Sequence, residues 1–238
     1  MTNAAIARLR DRKRVPAKSR TPVFANAKAM SITLQGNPNW VAAARWANNT
    51  GSPISSFEAT WVVPPPPANP NQFQTIYLFI GVGNPSFILQ PILVWLPDDQ
   101  GVGNWFVGGM IATGQNKFPT INGKLQVDKD TPIRGIISVE PANDGNFIYT
   151  CQIDQYPGTL TRTNAIPELT NAYVALESYD ISDSSYYPPI AATTVRNIQI
   201  STQAGAATPG WLLGSPGPLG EHAELGNQGN GPDIILNY

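Results

Sequence analysis

The sequence contains one cysteine, Cys151, and one histidine, His222, so the side chains most used in metal and nucleophilic sites are scarce. A single cysteine excludes a disulfide framework or a cysteine-based zinc cluster within one chain. A Ser-His or Cys-His catalytic pair would have to use His222, which lies in a Gly- and Pro-rich stretch typical of a surface loop. We therefore predict neither a metal site nor a cofactor.

Charge and long apolar runs are also sparse. Charged residues make up 13% of the chain, about half the usual share. No uncharged apolar run approaches the ~18 residues of a membrane helix. The N-terminus lacks the apolar stretch of about 7–15 residues that marks a secretory signal. Walker, dinucleotide-binding, HExxH and GxSxG motifs are missing as well, which argues against the common nucleotide- and metal-dependent activities.

The basic residues are concentrated at the N-terminus. Residues 1–28 hold eight of the fifteen lysines and arginines and one acid, whereas residues 29–238 hold seven basic and fifteen acidic residues, a net charge of −8. We predict that residues 1–30 form a separate basic arm. Three interpretations stay open: a flexible solvated arm, an arm that binds nucleic acid or anionic membranes, and a pro-segment-like arm that docks on the acidic body. Because the body shows no matching basic face, we expect neither nucleic acid nor membrane as a partner.

From Ser31 onward the sequence has the features of an all-β protein. Short apolar or alternating runs, such as "SFEATWVVP", "TIYLFIGVGN" and "IRGIISVEP", recur between turn signals. Glycine and proline, at 21 and 23 residues, are abundant enough for many turns. No amphipathic helix, internal repeat or second domain is visible. The pattern predicts ten to twelve strands in a single β-sandwich or barrel domain, residues 31–238.

One strand carries an amide in an otherwise apolar run. Gln90 stands in "ILQPILVW", where alternation places it on one face with Ile88, Ile92 and Val94. A buried amide without hydrogen-bond partners costs roughly 1–3 kcal/mol. Either the core or a substrate must therefore satisfy the Gln90 side chain.

A second strand carries a carboxylate. In "AYVALESYD" the alternation puts Glu177 on one face with Tyr173, Ala175 and Tyr179. A carboxylate between two tyrosines on a β face suits a ligand groove floored by a sheet. The alternative is an exposed acid on the solvated face of a sandwich.

Seven short motifs follow one another along the body: "EATWVVP", "FIGVG", "ILQP", "NWF", "VDKDTPI", "TNAYVALE" and "PPIAATTVRNIQI". This order, over about residues 40–200, resembles the eqolisin family of glutamic peptidases. In that family a "WVGIDG" strand is followed by an "ILQTG" strand with the catalytic glutamine. A "WYEW" segment, a "GD-I" turn and a "TNAEWIVE" strand ending on the catalytic glutamate complete the series.

The resemblance assigns roles residue by residue. Gln90 corresponds to the family glutamine, and Glu177 corresponds to the family glutamate because "TNAYVALE" keeps "TNA" and the spacing. Trp105 corresponds to the first tryptophan of "WYEW", Phe79 to the tryptophan of "WVGIDG", and Asp130 to the aspartate of the "GD-I" turn. The implied catalytic pair is Gln90 and Glu177. The implied substrate-binding residues are Trp105, Phe79, Tyr173 and Tyr179.

Supporting acids of the family are missing from this chain. The aspartate of "WVGIDG" falls on Gly83, and the acids around "WYEW" fall on Gly103 and Val107. Both members of the proposed catalytic pair are present, but the carboxylates that would poise them are not. This departure favours, as an alternative, a family relative that has lost or changed its activity.

The resemblance implies a concave, antiparallel double-sheet sandwich of the concanavalin-like or jelly-roll type. It further implies a monomeric, secreted enzyme that cleaves polypeptides in acid and whose basic arm is autoinhibitory. Gln90 and Glu177 should then point into one groove and be bridged by a water. A third function stays open: a module that binds carbohydrate or peptide in that groove through Trp105, Tyr173 and Tyr179.

Overall fold

Extended chain dominates the computed structural model, which describes residues 38–97, 102–113, 120–226 and 232–238. The predicted basic arm, residues 1–30, lies outside the described residues. The only helical segments within them are two short 3-10 helices, Asn143–Gly145 and Ser184–Tyr186. The strands are β1 Trp40–Ala47, β2 Ile54–Val62, β3 Thr75–Gly83, β4 Phe87–Pro97, β5 Gly103–Thr113, β6 Ile121–Val127, β7 Pro132–Pro141, β8 Phe147–Ile153, β9 Tyr156–Arg162, β10 Asn171–Tyr179, β11 Ala192–Thr202, β12 Gly205–Ala207, β13 Leu212–Leu213, β14 His222–Gly226 and β15 Asp233–Asn237.

The strands form two antiparallel sheets. The seven-stranded sheet has the order β13-β1-β10-β3-β4-β5-β6, and the eight-stranded sheet has the order β14-β15-β11-β2-β7-β8-β9, with β12 paired to β11. The predicted all-β sandwich is therefore confirmed. The strands exceed the ten to twelve predicted because short ones such as β13, of two residues, give no periodic signal in sequence.

The main hydrophobic core lies between the two sheets. It takes one side of most strands, for example Leu78 and Ile80 from β3 and Phe57 and Trp61 from β2. A second apolar cluster, which includes Tyr77 and Phe79, lies on the other face of the seven-stranded sheet, away from the main core. All of its buried residues belong to that sheet. Strand β3 is consequently buried at all nine positions, which explains why its sequence is continuously apolar rather than alternating.

Glycine lets the two sheets meet at one edge. Strands β5 and β6 of the seven-stranded sheet contact β9 of the other sheet there. A Cβ atom added at Gly109 would overlap the Thr159 carbonyl, and one added at Gly123 would overlap the Gly158 carbonyl. Gly123 also has a φ of +70°, which glycine adopts without strain. These two glycines allow a backbone approach that any side chain would prevent.

In the described part of the chain, no helix has the length and apolar character needed to cross a membrane.

Candidate functional site

Gln90, Phe79 and Glu177 lie on one face of the seven-stranded sheet, along a diagonal across three neighbouring strands. In the β10–β3–β4 ladder, Glu177 is opposite Tyr77, and Phe79 lies between Ala175 and Ile92. We call this face, which is turned away from the sandwich interior, the site face. The predictions that Gln90 shares a face with Ile88, Ile92 and Val94, and Glu177 one with Tyr173, Ala175 and Tyr179, are confirmed because the ladders and the clusters place all of these residues there.

Gln90 and Glu177 stand at opposite ends of this diagonal, with Phe79 between them. Gln90 and Glu177 are two strands apart across the sheet and four residues apart along the strand direction. Their Cα atoms are therefore about 16 Å apart on a flat ladder. The amide and the carboxylate approach each other only if both side chains lean inward over the Phe79 ring.

The Gln90 amide is buried without hydrogen bonds. The residue has no exposed surface. Neither its Nε2 nor its Oε1 atom has a hydrogen-bond partner. Its neighbours on the site face include Ile92 and Met110, which offer no polar group to the amide. The core therefore does not satisfy this side chain, and a cost of roughly 1–3 kcal/mol is retained in the folded protein.

The Glu177 carboxylate is nearly as buried as the Gln90 amide, and it accepts a hydrogen bond from a tyrosine hydroxyl. The residue is 2% exposed. The Tyr179 hydroxyl donates a hydrogen bond of 2.5 Å to its Oε1 atom. Burial and the negative charge of Glu177 raise the pKa of Tyr77 and of Tyr179, so both phenols stay protonated as donors. A side-chain hydrogen bond with Asn39 has the opposite, smaller effect on the pKa of Tyr179.

Glu177 is the one acidic residue in the described strands of the seven-stranded sheet, which also contain two bases, Arg45 and Lys124. The described strands of the site face therefore carry no substitute for the lost family acids. Gly83 belongs to that face, whereas Val107 packs in the interior core. A side chain at Gly103 would collide with the Trp95 ring, at 2.5 Å from its Cε2 atom. An acid at 103 or 107 would therefore not face Gln90, and the β5 residues that do face β4 on this side also lack a carboxylate.

The assignment of Trp105 to the groove is wrong. Its ring is 2% exposed in the interior core and lies edge-on to Trp95, with ring centroids 5.5 Å apart. The register of β5 against β4 puts Met110 opposite Gln90 and Phe106 opposite Val94, so the even-numbered residues of β5 face the site. Phe106, next to Trp105 in the chain, provides the aromatic ring on the site face and carries Lys124 Nζ 4.9 Å from its centroid.

Strand β1 contributes residues that the sequence analysis did not identify. Trp40 pairs with Glu177, and its ring packs edge-on against Phe79 at 5.7 Å and Tyr173 at 5.1 Å. Arg45 pairs with Tyr173 in the same ladder. An aromatic residue and a base five positions apart would lie on opposite faces of a regular strand, but a register shift between Trp40 and Ala42 brings both to the site face.

Asp130 lies apart from this site. It has a φ of +66° in the turn before β7, and its backbone N–H donates to the Val63 carbonyl at 2.9 Å. It lines a cavity of about 410 Å³ at the ends of β2, β7 and β11, all in the eight-stranded sheet. Its match to the "GD-I" turn therefore adds no residue to the site face.

Raising the pH above about 10 is expected to destabilise the protein. Burial is the main cause of a raised pKa in six of the eight tyrosines; Tyr149 and Tyr173 reach about 12, and the others are Tyr77, Tyr179, Tyr187 and Tyr238. A folded-state pKa above the unfolded value means that the stabilising contribution is complete below pH 10 and is lost as the pH rises toward 12. Thermal unfolding followed by circular dichroism at pH 8 and pH 11 should show a clearly lower Tm at pH 11. The Tyr173→Phe variant should lose part of that difference, and an unchanged Tm would contradict the prediction.

No family model matches the chain, and no curated protein sequence matches it significantly. Scytalido-glutamic peptidase with a peptide-based transition-state analogue is similar in structure, with a TM-score of 0.55 and 13% identity over 83% of this chain and 97% of that one. SCP-B, an eqolisin-family peptidase in complex with the tripeptide Ala-Ile-His, has a TM-score of 0.52 and 13% identity, over 83% of this chain and 96% of that one. The chain therefore has the fold of the eqolisins, as its motif order predicts.

Proposed function

We propose that the protein is a glutamic-type endopeptidase that cleaves polypeptides in acid, with Glu177 and Gln90 as its catalytic residues. The observation that carries the proposal is the pairing on one apolar face of a buried carboxylate and a buried amide without hydrogen bonds, on either side of Phe79. An unsatisfied buried amide is costly, and such costs are concentrated at functional sites.

In the proposed reaction, the Glu177 carboxylate accepts a proton from a water molecule, and the resulting hydroxide bonds to the scissile carbonyl carbon. The Gln90 N–H donates to the oxyanion of the tetrahedral intermediate. Protonated Glu177 then gives its proton to the leaving amine as the C–N bond breaks. Tyr179 orients the carboxylate through its 2.5 Å hydrogen bond, and Phe79 provides the floor between the two catalytic groups.

Digestion of an unfolded protein tests this function. The full chain and the Glu177→Gln variant are incubated with a reduced, alkylated substrate between pH 2 and pH 5, and new amino termini are quantified. The wild type should cleave and the variant should not. Absence of cleavage by the wild type across this range would refute the proposal.

A second candidate, a peptide- or carbohydrate-binding protein derived from such an enzyme, is favoured by one observation. The described strands of the seven-stranded sheet hold no second carboxylate to poise Glu177. The site face still carries aromatic rings, including those of Trp40, Phe79 and Tyr173, that would contact a ligand without any chemistry. Saturable ligand binding without hydrolysis would identify this function.

The basic arm is proposed to be autoinhibitory. The first described residues lie close to Glu177, because the Asn39 carbonyl accepts a hydrogen bond of 2.8 Å from the Ser178 N–H. Gln90 and Glu177 are buried, so access to them requires a rearrangement, which an inhibitory segment would control. The arm is basic and the remaining chain is acidic. Attraction between them is lost when carboxylates are protonated.

A chain lacking residues 1–30 should bind a synthetic peptide of residues 1–30 at least about tenfold more tightly at pH 7 than at pH 3. Fluorescence anisotropy measures this affinity, with thermal unfolding as the check that the shortened chain is folded. A control peptide with glutamine in place of every lysine and arginine should bind weakly at both pH values. Equal affinity of the basic peptide at pH 3 and pH 7 would contradict the prediction.

A further inference from the structure

The site face has unmet hydrogen-bonding groups in addition to those of Gln90. Among the described residues, the buried polar side-chain atoms without a partner include Trp40 Nε1, Arg45 Nε and the Tyr77 hydroxyl, all on this face. The remaining ones are indole nitrogens of other tryptophans. The indole and guanidinium groups are donors only. A ligand that satisfies this face must therefore be rich in acceptors.

Arg45 differs from the other arginines of the described chain. Arg134 pairs with Glu58, Arg162 with Glu140 at 2.8 Å, and Arg196 with Asp233 at 3.6 Å. No carboxylate among the described residues lies within ion-pair distance of Arg45, although it is half-buried. Partial burial of a guanidinium without a counter-charge among the described residues is costly, and its planar fork is suited to bidentate binding of a carboxylate.

The ladder fixes the place of Arg45 relative to the proposed catalytic pair. Arg45 is opposite Tyr173, which is opposite Gly81, and a Cβ atom at Gly81 would lie 3.5 Å from the Gln90 Cβ atom. Arg45 thus lies in the same row across the sheet as Gln90. From Phe79, Arg45 is two strands and two residues away, about 12 Å, which an extended peptide covers in three to four residues.

We infer that Arg45 is a specificity subsite that binds the side-chain carboxylate of an aspartate or glutamate in the substrate, three to four residues from the scissile bond. The position relative to that bond rests on the proposed function; the recognition of the carboxylate does not. The ligand class is an acidic peptide because its backbone carbonyls meet the donors of the site face while its carboxylate meets Arg45.

The test compares matched peptides that differ only in Asp or Glu against Asn or Gln at a single position. Binding is measured by anisotropy with the full-length Glu177→Gln variant, and cleavage is measured with the full-length wild type, at pH 5 and pH 3. The acidic peptide should bind about 10- to 100-fold more tightly at pH 5, as expected for a charge-assisted hydrogen bond. The preference should shrink at pH 3, where peptide carboxylates of pKa about 4 are protonated.

Variants of Arg45 isolate its contribution. In the Glu177→Gln background, Arg45→Gln should remove the preference for the acidic peptide over the amide peptide, and Arg45→Glu should shift the preference toward lysine peptides. Arg162→Gln, which removes the same charge from the exposed surface of the other sheet, should change neither. Thermal unfolding of each variant shows that it is folded, and Arg45→Lys should keep part of the preference.

The outcomes separate this inference from the proposed function. A binding preference that depends on Arg45, without cleavage by the wild type, would refute the peptidase and support the subsite. Cleavage by the wild type without a preference for acidic peptides would support the peptidase and refute the subsite. Equal binding of acidic and amide peptides, a preference that survives in Arg45→Gln, or tight binding of an acidic oligosaccharide in place of the peptide would overturn the inference.

Discussion

Glu177→Gln is expected to reduce the hydrolysis of an unfolded protein at pH 2–5 by about 10²–10⁴-fold, because the variant keeps the shape of the side chain but cannot accept a proton from water. Gln90→Ala should cost about 10²–10³-fold, the usual effect of removing one oxyanion donor. Both losses should appear in kcat rather than in KM, since water activation and oxyanion binding act in the transition state.

The matched control is Glu140→Gln, which removes an exposed carboxylate of the eight-stranded sheet and should leave the rate unchanged. The double variant Glu177→Gln with Gln90→Ala should lose little more than Glu177→Gln alone, because the two groups act on one intermediate. Equal activity in the wild type and the single variants, including no activity in any of them, would refute the mechanism.

Gln90→Met is expected to raise the free energy of unfolding by about 1–3 kcal/mol while lowering activity. The substitution replaces an unsatisfied buried amide with an apolar, unbranched side chain of similar length, which removes the desolvation cost without opening a cavity. For a chain of this size, each kcal/mol corresponds to a Tm increase of roughly 2–4 °C. Calorimetry or denaturant unfolding measures the change.

The chain offers a matched control in Gln74, which is also fully buried but has both ends of its amide satisfied. Its Nε2 donates to the Tyr186 carbonyl at 2.9 Å, and its Oε1 accepts from the Asn71 N–H at 2.8 Å. Gln74→Met should therefore destabilise the protein by about 1–3 kcal/mol. Opposite signs for the two glutamines would support a functional role for Gln90, whereas destabilisation by Gln90→Met would show that its amide is satisfied structurally.

The parts of the site that follow from local alternation could be predicted from sequence. In β10 the side chains alternate strictly between the two faces. The residues that share a face with Glu177 therefore follow directly from the prediction of a strand. In β5 both faces are apolar, with Trp105 and Val107 on one side and Phe106 and Met110 on the other. Sequence alone does not show which face of such a strand points to the interior. The family motif indicated Trp105, whereas the adjacent Phe106 lies on the site face.

Non-local pairing determined what the sequence analysis missed. Arg45 and Trp40 belong to the site face because β1 pairs with β10, and a register shift in β1 sets which of its residues point there. Three alanines in succession in "WVAAARW" give no alternation by which to place them. The basic arm stays a prediction, because its residues lie outside those described.

The order in which the strands pair also has a consequence for when the proposed catalytic pair can form. Strands β3 and β4 form a hairpin from neighbouring residues, so Phe79 and Gln90 are brought together early. Strand β10 must enter between β1 and β3, and its pairing of Glu177 with Trp40 closes a loop of more than 130 residues. Such long-range closure is slow. A chain whose β10 has not yet emerged from the ribosome holds the amide but lacks the carboxylate, so a peptidase built on this sheet could not cleave other chains before its own synthesis is nearly complete.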